Sequence, residues 1–107
     1  MDLKNIELDA DDTTQIIKVA KAVGSLTRFQ ILQLLSKEEL DISNLANKLG
    51  QTEANISAQV KALQNAQLVE CKYEPGVHGV RKICRTSVKS IHIEIVKGDS
   101  EKKEPEE

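Results

Sequence analysis

The apolar spacing in LGQTEANISAQVKALQNAQLV, residues 49–69, constrains this chain more than any other feature. Gly50 suits the left-handed residue that ends a helix, and Thr52 suits the cap that opens the next. Beyond the cap, Ile56, Val60 and Leu63 recur at i, i+4 and i+7, which places three branched side chains on one inward stripe. The opposite face carries Gln51, Ala54, Asn55, Ala58, Lys61 and Asn65, with no large apolar group and no acid. Two short helices joined by a tight turn, the second presenting such a face, form a helix-turn-helix that can approach a groove floor and its phosphates. The alternative is an ordinary solvated helix face.

At 107 residues and 39% hydrophobic, the chain can build one small core and not two. No apolar run approaches the roughly 18 residues of a membrane span, and the first residues, MDLKNIELDADD, are acidic where a secretory leader is basic. A cytosolic protein is expected. Phe29 and Tyr73 are too few aromatics for a single-strand stacking platform, so duplex DNA fits better than RNA or single strands. The net charge of −2 divides unevenly along the chain. Residues 1–12 carry −4 and residues 98–107 carry −3, leaving +5 on residues 13–97, enough to attract a polyanion. The tail GDSEKKEPEE has no apolar side chain to offset its ordering entropy, so residues 1–97 are read as one domain and 98–107 as a disordered acidic tail.

Asp12 and Gln15 have capping-box spacing, and Ile16, Ile17, Ala20 and Val23 give a helical stripe ending at Gly24. Ser25 can cap a second helix in which Phe29, Ile31, Leu32, Leu34 and Leu35 leave only the Arg28 side clearly polar. Asp41 or Ser43 can cap a third, with Leu45, Ala46 and Leu49 inward. From Val69 to Arg85 the pattern alternates at period two around PGVHG, a hairpin signal. A turn centred between Val77 and His78 sets Glu70 against Arg85, Glu74 against Arg81 and Cys71 against Cys84. Residues 3–9 and the alternating Ile91, Ile93 and Ile95 read as two further strands able to pair. The fold class is therefore α+β: three to four helices, a β-hairpin wing, and extra terminal strands.

The run AVGSLTRFQILQLLSKEELDISNLANKLGQTEANISAQVKALQNAQLV resembles the ArsR class of small bacterial and archaeal repressors, in which Gly-Ser-x-x-Arg opens the second helix and Ser-x-x-x-Lys-x-Leu marks the recognition helix. Here these are Gly24, Ser25, Arg28, Ser57, Lys61 and Leu63. The resemblance implies a winged helix-turn-helix whose Thr52, Asn55, Ser57 and Gln59 meet bases or phosphates, with the wing on residues 75–81. The chain departs from the family in having Ala58-Gln59 where Arg-His is usual and Gln67 where Gly is usual. Loss of a cation at 58 shifts phosphate contact toward Lys61 and Arg81, while Gln59 keeps an amide able to pair with adenine. Metal-sensing members carry Cys-x-Cys near the third helix. This chain has EELDISN there, and His92 with Glu94 is a poor substitute.

Cys71 and Cys84 are read first as reduced structural thiols, with a redox switch and a metal site as lesser readings, because cytosolic disulfides are uncommon and two thiolates do not complete a zinc shell. The sequon Asn55-Ile56-Ser57 is disregarded on a cytosolic helix. His78 at the wing tip is more often a solvated turn residue than a base reader. No catalytic constellation or phosphate loop is visible, so no enzyme and no cofactor are expected. The candidate DNA-binding residues are Gln51, Thr52, Asn55, Ser57, Ala58, Gln59, Lys61, His78, Arg81 and Lys82, with Cys71 and Cys84 as the redox pair. The expected function is sequence-specific binding of double-stranded DNA by a homodimeric regulator, a repressor by resemblance. The rivals are a winged-helix interaction module in a transcription or repair complex and a redox-gated sensor.

Overall fold

A core of branched aliphatic side chains, with Ile31, Leu35, Leu45, Ile56, Val60 and Leu63 fully buried, ties the helices to the sheets. The computed structural model describes residues 2–97, and the acidic tail expected at 98–107 lies outside them. In chain order the elements are β1 (Lys4–Leu8), α1 (Thr13–Val23), α2 (Leu26–Leu35), β2 (Leu40–Asp41), α3 (Ile42–Leu49), α4 (Glu53–Asn65), β3 (Glu70–Gly76), β4 (Gly79–Arg85) and β5 (Val88–Ile93). The winged helix-turn-helix expected from the sequence is the observed architecture.

The α3–α4 turn follows from two local devices. Gly50 sits at φ 64°, ψ 38°, and the amides of Gly50 and Gln51 return to the carbonyls of Asn47 and Ala46, the pattern that satisfies the last orphan acceptors of a helix. Thr52 then accepts the Asn55 amide at 3.1 Å and starts α4. The end of α4 repeats the device with Gln67, which is held at φ 62° while Leu68 N–H reaches Leu63 C=O at 2.9 Å. A glutamine there pays about 1 kcal/mol that glycine would not.

The hairpin adopts the expected register, pairing Glu70 with Arg85, Cys71 with Cys84 and Glu74 with Arg81 around a Val77-His78 turn. β2 adds to the far side of β4 through Leu40 and Asp41, giving the order β2-β4-β3. Thr86 then redirects the chain: its buried hydroxyl donates to Leu68 C=O at 2.6 Å and accepts from Val88 N–H at 3.1 Å. β5 leaves this corner to pair with β1 in parallel, matching Ile6 to Ile91 and Leu8 to Ile93.

Several expectations are corrected. Asp12 precedes α1 but makes no side-chain capping bond. The buried stripe of α1 is Val19 and Ala22, flanked by Ile16 and Val23, because α2 and α4 pack on that side; Ile17 is 48% exposed. Phe29 is likewise 49% exposed rather than core, and Ile95 falls beyond β5 in the open. Glu74 and Arg81 are opposite in register yet do not pair: Glu74 binds Lys72 at 3.3 Å, while Arg81 turns to Asp41. Finally, Cys71 and Cys84 form a disulfide, not two reduced thiols. Their Cα atoms are 4.1 Å apart, the close spacing of a non-hydrogen-bonded antiparallel pair, which brings two directly opposed side chains together.

Candidate nucleic-acid interface

The inward stripe of α4 is fully buried at Ile56, Val60 and Leu63, which fixes the helix's rotation about its own axis. Thr52, Ala54, Asn55, Ser57, Ala58 and Lys61 are consequently exposed together, with Gln51 and Gln59 half-buried beside them. The polar side chains on this surface are linked. Arg28 donates from Nη1 to Gln59 Oε1 at 2.7 Å, Gln59 Nε2 donates to Asn55 Oδ1 at 3.2 Å, Asn55 Nδ2 donates to Gln51 Oε1, and Gln51 Nε2 donates to Thr27 Oγ1 at 2.9 Å. Arg28 also closes the end of α1, with Nε on Ala22 C=O at 2.7 Å and Nη2 on Lys21 C=O at 2.9 Å. The sequence marks Arg28 as the polar side of α2 and as the Arg of the Gly-Ser-x-x-Arg opening, but gives it no link to α4. Its bond to Gln59 spans 31 residues, and no local pattern announces it.

The wing places His78 at its turn, with Arg81 and Lys82 on β4. Val77 and Val80 are 92% and 71% exposed, an apolar tip of the size that can lie against a minor groove. Arg81 is anchored through one nitrogen while remaining exposed: its Nε donates to Asp41 Oδ2 at 2.9 Å, while Asp41 Oδ1 accepts the Asn44 amide at 2.8 Å and caps α3. The Asn44 amide lowers the Asp41 pKa most; partial burial opposes it, and the Arg81 guanidinium lowers it further. One carboxylate thus joins the wing to the helix-turn-helix.

A groove of about 400 Å³ separates the wing tip from the start of α4, lined by Asp41, Ser43, Glu53, His78 and Arg81 among others. Glu53, an exposed acid in the first turn of α4, is the feature sequence reasoning missed, because it lies beside the acid-free face and not on it. The predicted residues therefore fall into two sets, a continuous helix surface and a wing surface, with Glu53 between them.

The sites at which metal-sensing relatives bind ions do not fit a metal here. In EELDISN, Asp41 is already spent on Asn44 and Arg81, and His92 binds Glu7 across β1 and β5 at 2.8 Å instead of working with Glu94. Among the described residues no group of three or more His, Cys, Asp or Glu is placed to hold an ion. Among those residues, too, no helix is long and apolar enough to cross a membrane.

The model of the family described as "Bacterial regulatory protein, arsR family" matches residues 25–70, from the cap of α2 through the recognition helix to the start of β3. No curated protein sequence matches the chain. Among solved structures, the solution structure of Mb0332 from Mycobacterium bovis shares 32% identity and covers 73% of this chain and 68% of its own, with a TM-score of 0.64. It is described as a homodimeric winged helix-turn-helix DNA-binding domain of a possible ArsR-family transcriptional regulator. A crystal structure of the corresponding Mycobacterium bovis fragment, also 32% identical, covers 70% of this chain and 76% of its own at a TM-score of 0.63. Reduced HlyU from Vibrio cholerae shares the fold at 22% identity, covering 72% of this chain and 77% of its own at a TM-score of 0.63. The recognition-helix surface, the wing and these matches together place the chain in the arsR family of DNA-binding winged helix-turn-helix transcription regulators.

Proposed function

We propose that the protein is a homodimeric, sequence-specific repressor that lays α4 in the major groove of each half-site and sets its wing beside the flanking minor groove. The observation that carries this reading is the exposed face of α4, in which Thr52, Asn55, Ser57, Ala58, Gln59 and Lys61 present amides, hydroxyls and one cation while Ile56, Val60 and Leu63 hold the helix rigidly from behind. Asn55 and Gln59 read bases, Thr52, Ser57 and Lys61 meet phosphates, and Ala58 leaves room for close approach. Gln51 supports Asn55 from the turn, and His78, Arg81 and Lys82 add sequence-independent affinity from the wing. Residues 1–97 act as one DNA-binding domain, and a dimer seated over a promoter represses by occlusion, which needs no further surface.

Dimerisation is supported by the homodimeric relative and by an apolar groove of about 480 Å³ where α1 and α2 meet the β1–β5 sheet. Leu3, Val23, Phe29, Val88 and Ile91 are among its lining residues, and Leu3 and Phe29 are 40% and 49% exposed. A second copy covering this face would bury apolar surface that a small monomer leaves in water, and would support a two-stranded sheet that is marginal alone.

The test is selection of duplexes from a randomised pool with the full chain, followed by binding titrations at several salt concentrations. Lys61→Ala should weaken binding to every duplex and reduce the salt slope by about one. Asn55→Ala should relax preference at one base. Failure to enrich any sequence over bulk duplex would favour the reading as a protein-interaction module.

A further inference from the structure

We infer that Arg28, a residue of α2, sets the direction of the amide chain on α4 and so acts as a positioning residue for adenine recognition by Asn55 and Gln59. The inference rests on the reading of α4 as a base-reading helix. A guanidinium can only donate, so Gln59 must turn Oε1 toward Arg28 and Nε2 toward Asn55. Asn55 must then offer Oδ1 to Gln59 and Nδ2 to Gln51, which in turn donates to the Thr27 hydroxyl, a group able to accept. One donor-only side chain therefore fixes the sense of three amides in succession.

The chain uses one N–H and one carbonyl lone pair of each amide. Each primary amide has two N–H donors and two acceptor sites, so Asn55 and Gln59 each keep one donor and one acceptor. That remaining pair is the set that adenine takes at N7 and N6 in the major groove. Because the side chains are already held, little of the rotamer freedom that an unrestrained glutamine would lose on docking is left to lose. Asn55 and Gln59 are separated by one i, i+4 step, about 6 Å along the helix axis, close to twice the roughly 3.4 Å spacing of successive bases. The duplex class expected is one with adenines two steps apart in each half-site.

Gln59→Met is the diagnostic variant. It leaves Arg28 on the carbonyls of Ala22 and Lys21, so the end of α1 stays closed, but it removes the group that passes Arg28's direction to Asn55. In the free full chain, side-chain amide protons of Asn55 should exchange slowly in the wild type and speed up markedly in Gln59→Met. In selections from a randomised duplex pool, the wild type should enrich the paired adenines, each discriminated by roughly 5- to 150-fold. Gln59→Met should relax both positions, including the one Gln59 does not touch. Arg28→Lys, which keeps the charge but not the fork, should also relax both.

Relaxation confined to one position, or unchanged Asn55 amide exchange, would overturn the inference while leaving DNA binding by α4 intact. Failure of the wild type to enrich any sequence would instead overturn the base-reading function and this inference with it.

Discussion

Asp41 carries two jobs on one carboxylate, so its replacement should have a cost that divides cleanly and depends on pH. Asp41→Ala removes the α3 cap, worth about 1 kcal/mol, and the bond to Arg81. That guanidinium is 47% exposed, so solvent screening leaves the pair about 0.5 kcal/mol. The expected loss is about 1.5 kcal/mol, which at roughly 4–8 °C per kcal/mol lowers the Tm by about 6–12 °C. Asp41→Asn keeps a competent cap and loses only the charge, so it should cost about 0.5 kcal/mol. An Arg81→Ala cycle isolates the pair: the double variant should cost little more than Asp41→Ala alone.

The pH dependence follows from the direction of the shift. The native pKa of Asp41 lies below 3.8, so the folded state holds its proton less tightly than the unfolded chain does. The stabilisation is therefore full above the unfolded value and disappears as pH falls through the lower native one. Urea unfolding of wild type and Asp41→Asn should differ at neutral pH and converge in acid, where a protonated aspartic acid resembles asparagine. An Asp41→Asn deficit that persists undiminished well below the native pKa would refute the assignment, as would an Asp41→Ala cost near zero at neutral pH.

Three further outcomes are expected. Gln67→Gly should relieve a left-handed cost of about 1 kcal/mol and lose roughly half of that to unfolded-chain entropy, for a Tm gain of about 2–4 °C; an unchanged or lower Tm in a thermal melt would count against strain there. Reduction of Cys71–Cys84, verified by alkylation and mass, should lower stability by up to about 3 kcal/mol for a loop of this length. A reduced protein melting at the oxidised temperature would show that the strand pairing alone holds the wing. Phe29→Glu should leave the monomer folded and abolish the dimer in sedimentation at micromolar concentration, and a persistent dimer would move the interface off the α1–α2 groove.

What was legible in the sequence is what short-range spacing determines. Ile56, Val60 and Leu63 announce the rotation of α4, Gly50 its turn, and alternation around PGVHG the hairpin register down to Cys71 opposite Cys84. What was not legible depends on elements distant in sequence. α1 carries overlapping apolar stripes, and only the packing of α2 and α4 decides that Val19 is buried and Ile17 is not. Arg81 faces Glu74 in register, yet a carboxylate forty residues away captures it because the two-residue strand β2 places Asp41 alongside β4. A strand that short has no period to detect. The amide chain was half visible: Gln51 and Asn55 were read from their face and Gln59 from the family resemblance, but the Arg28 that orders them belongs to another helix.

These placements also separate affinity from specificity. Ala58 stands where the family usually carries a cation, and Arg81 is drawn into an ion pair with Asp41. In the proposed complex Lys61 would therefore bear much of the phosphate contact from α4, and the exposed Glu53 would oppose it near the wing. With few phosphates neutralised per subunit, affinity for arbitrary DNA should be low and its salt dependence shallow. On the proposed reading the amides would contribute hydrogen bonds only against matching bases, so they would sharpen discrimination without raising background binding. A single domain built this way would hold its half-site weakly. Linking two of them converts the second contact into an intramolecular one, and the gain applies only where both half-sites match in sequence and spacing. Occupancy of the operator would then depend steeply on the dimer, and the proposed dimer groove between α1, α2 and the β1–β5 sheet would matter as much to DNA recognition as the proposed base-reading face of α4.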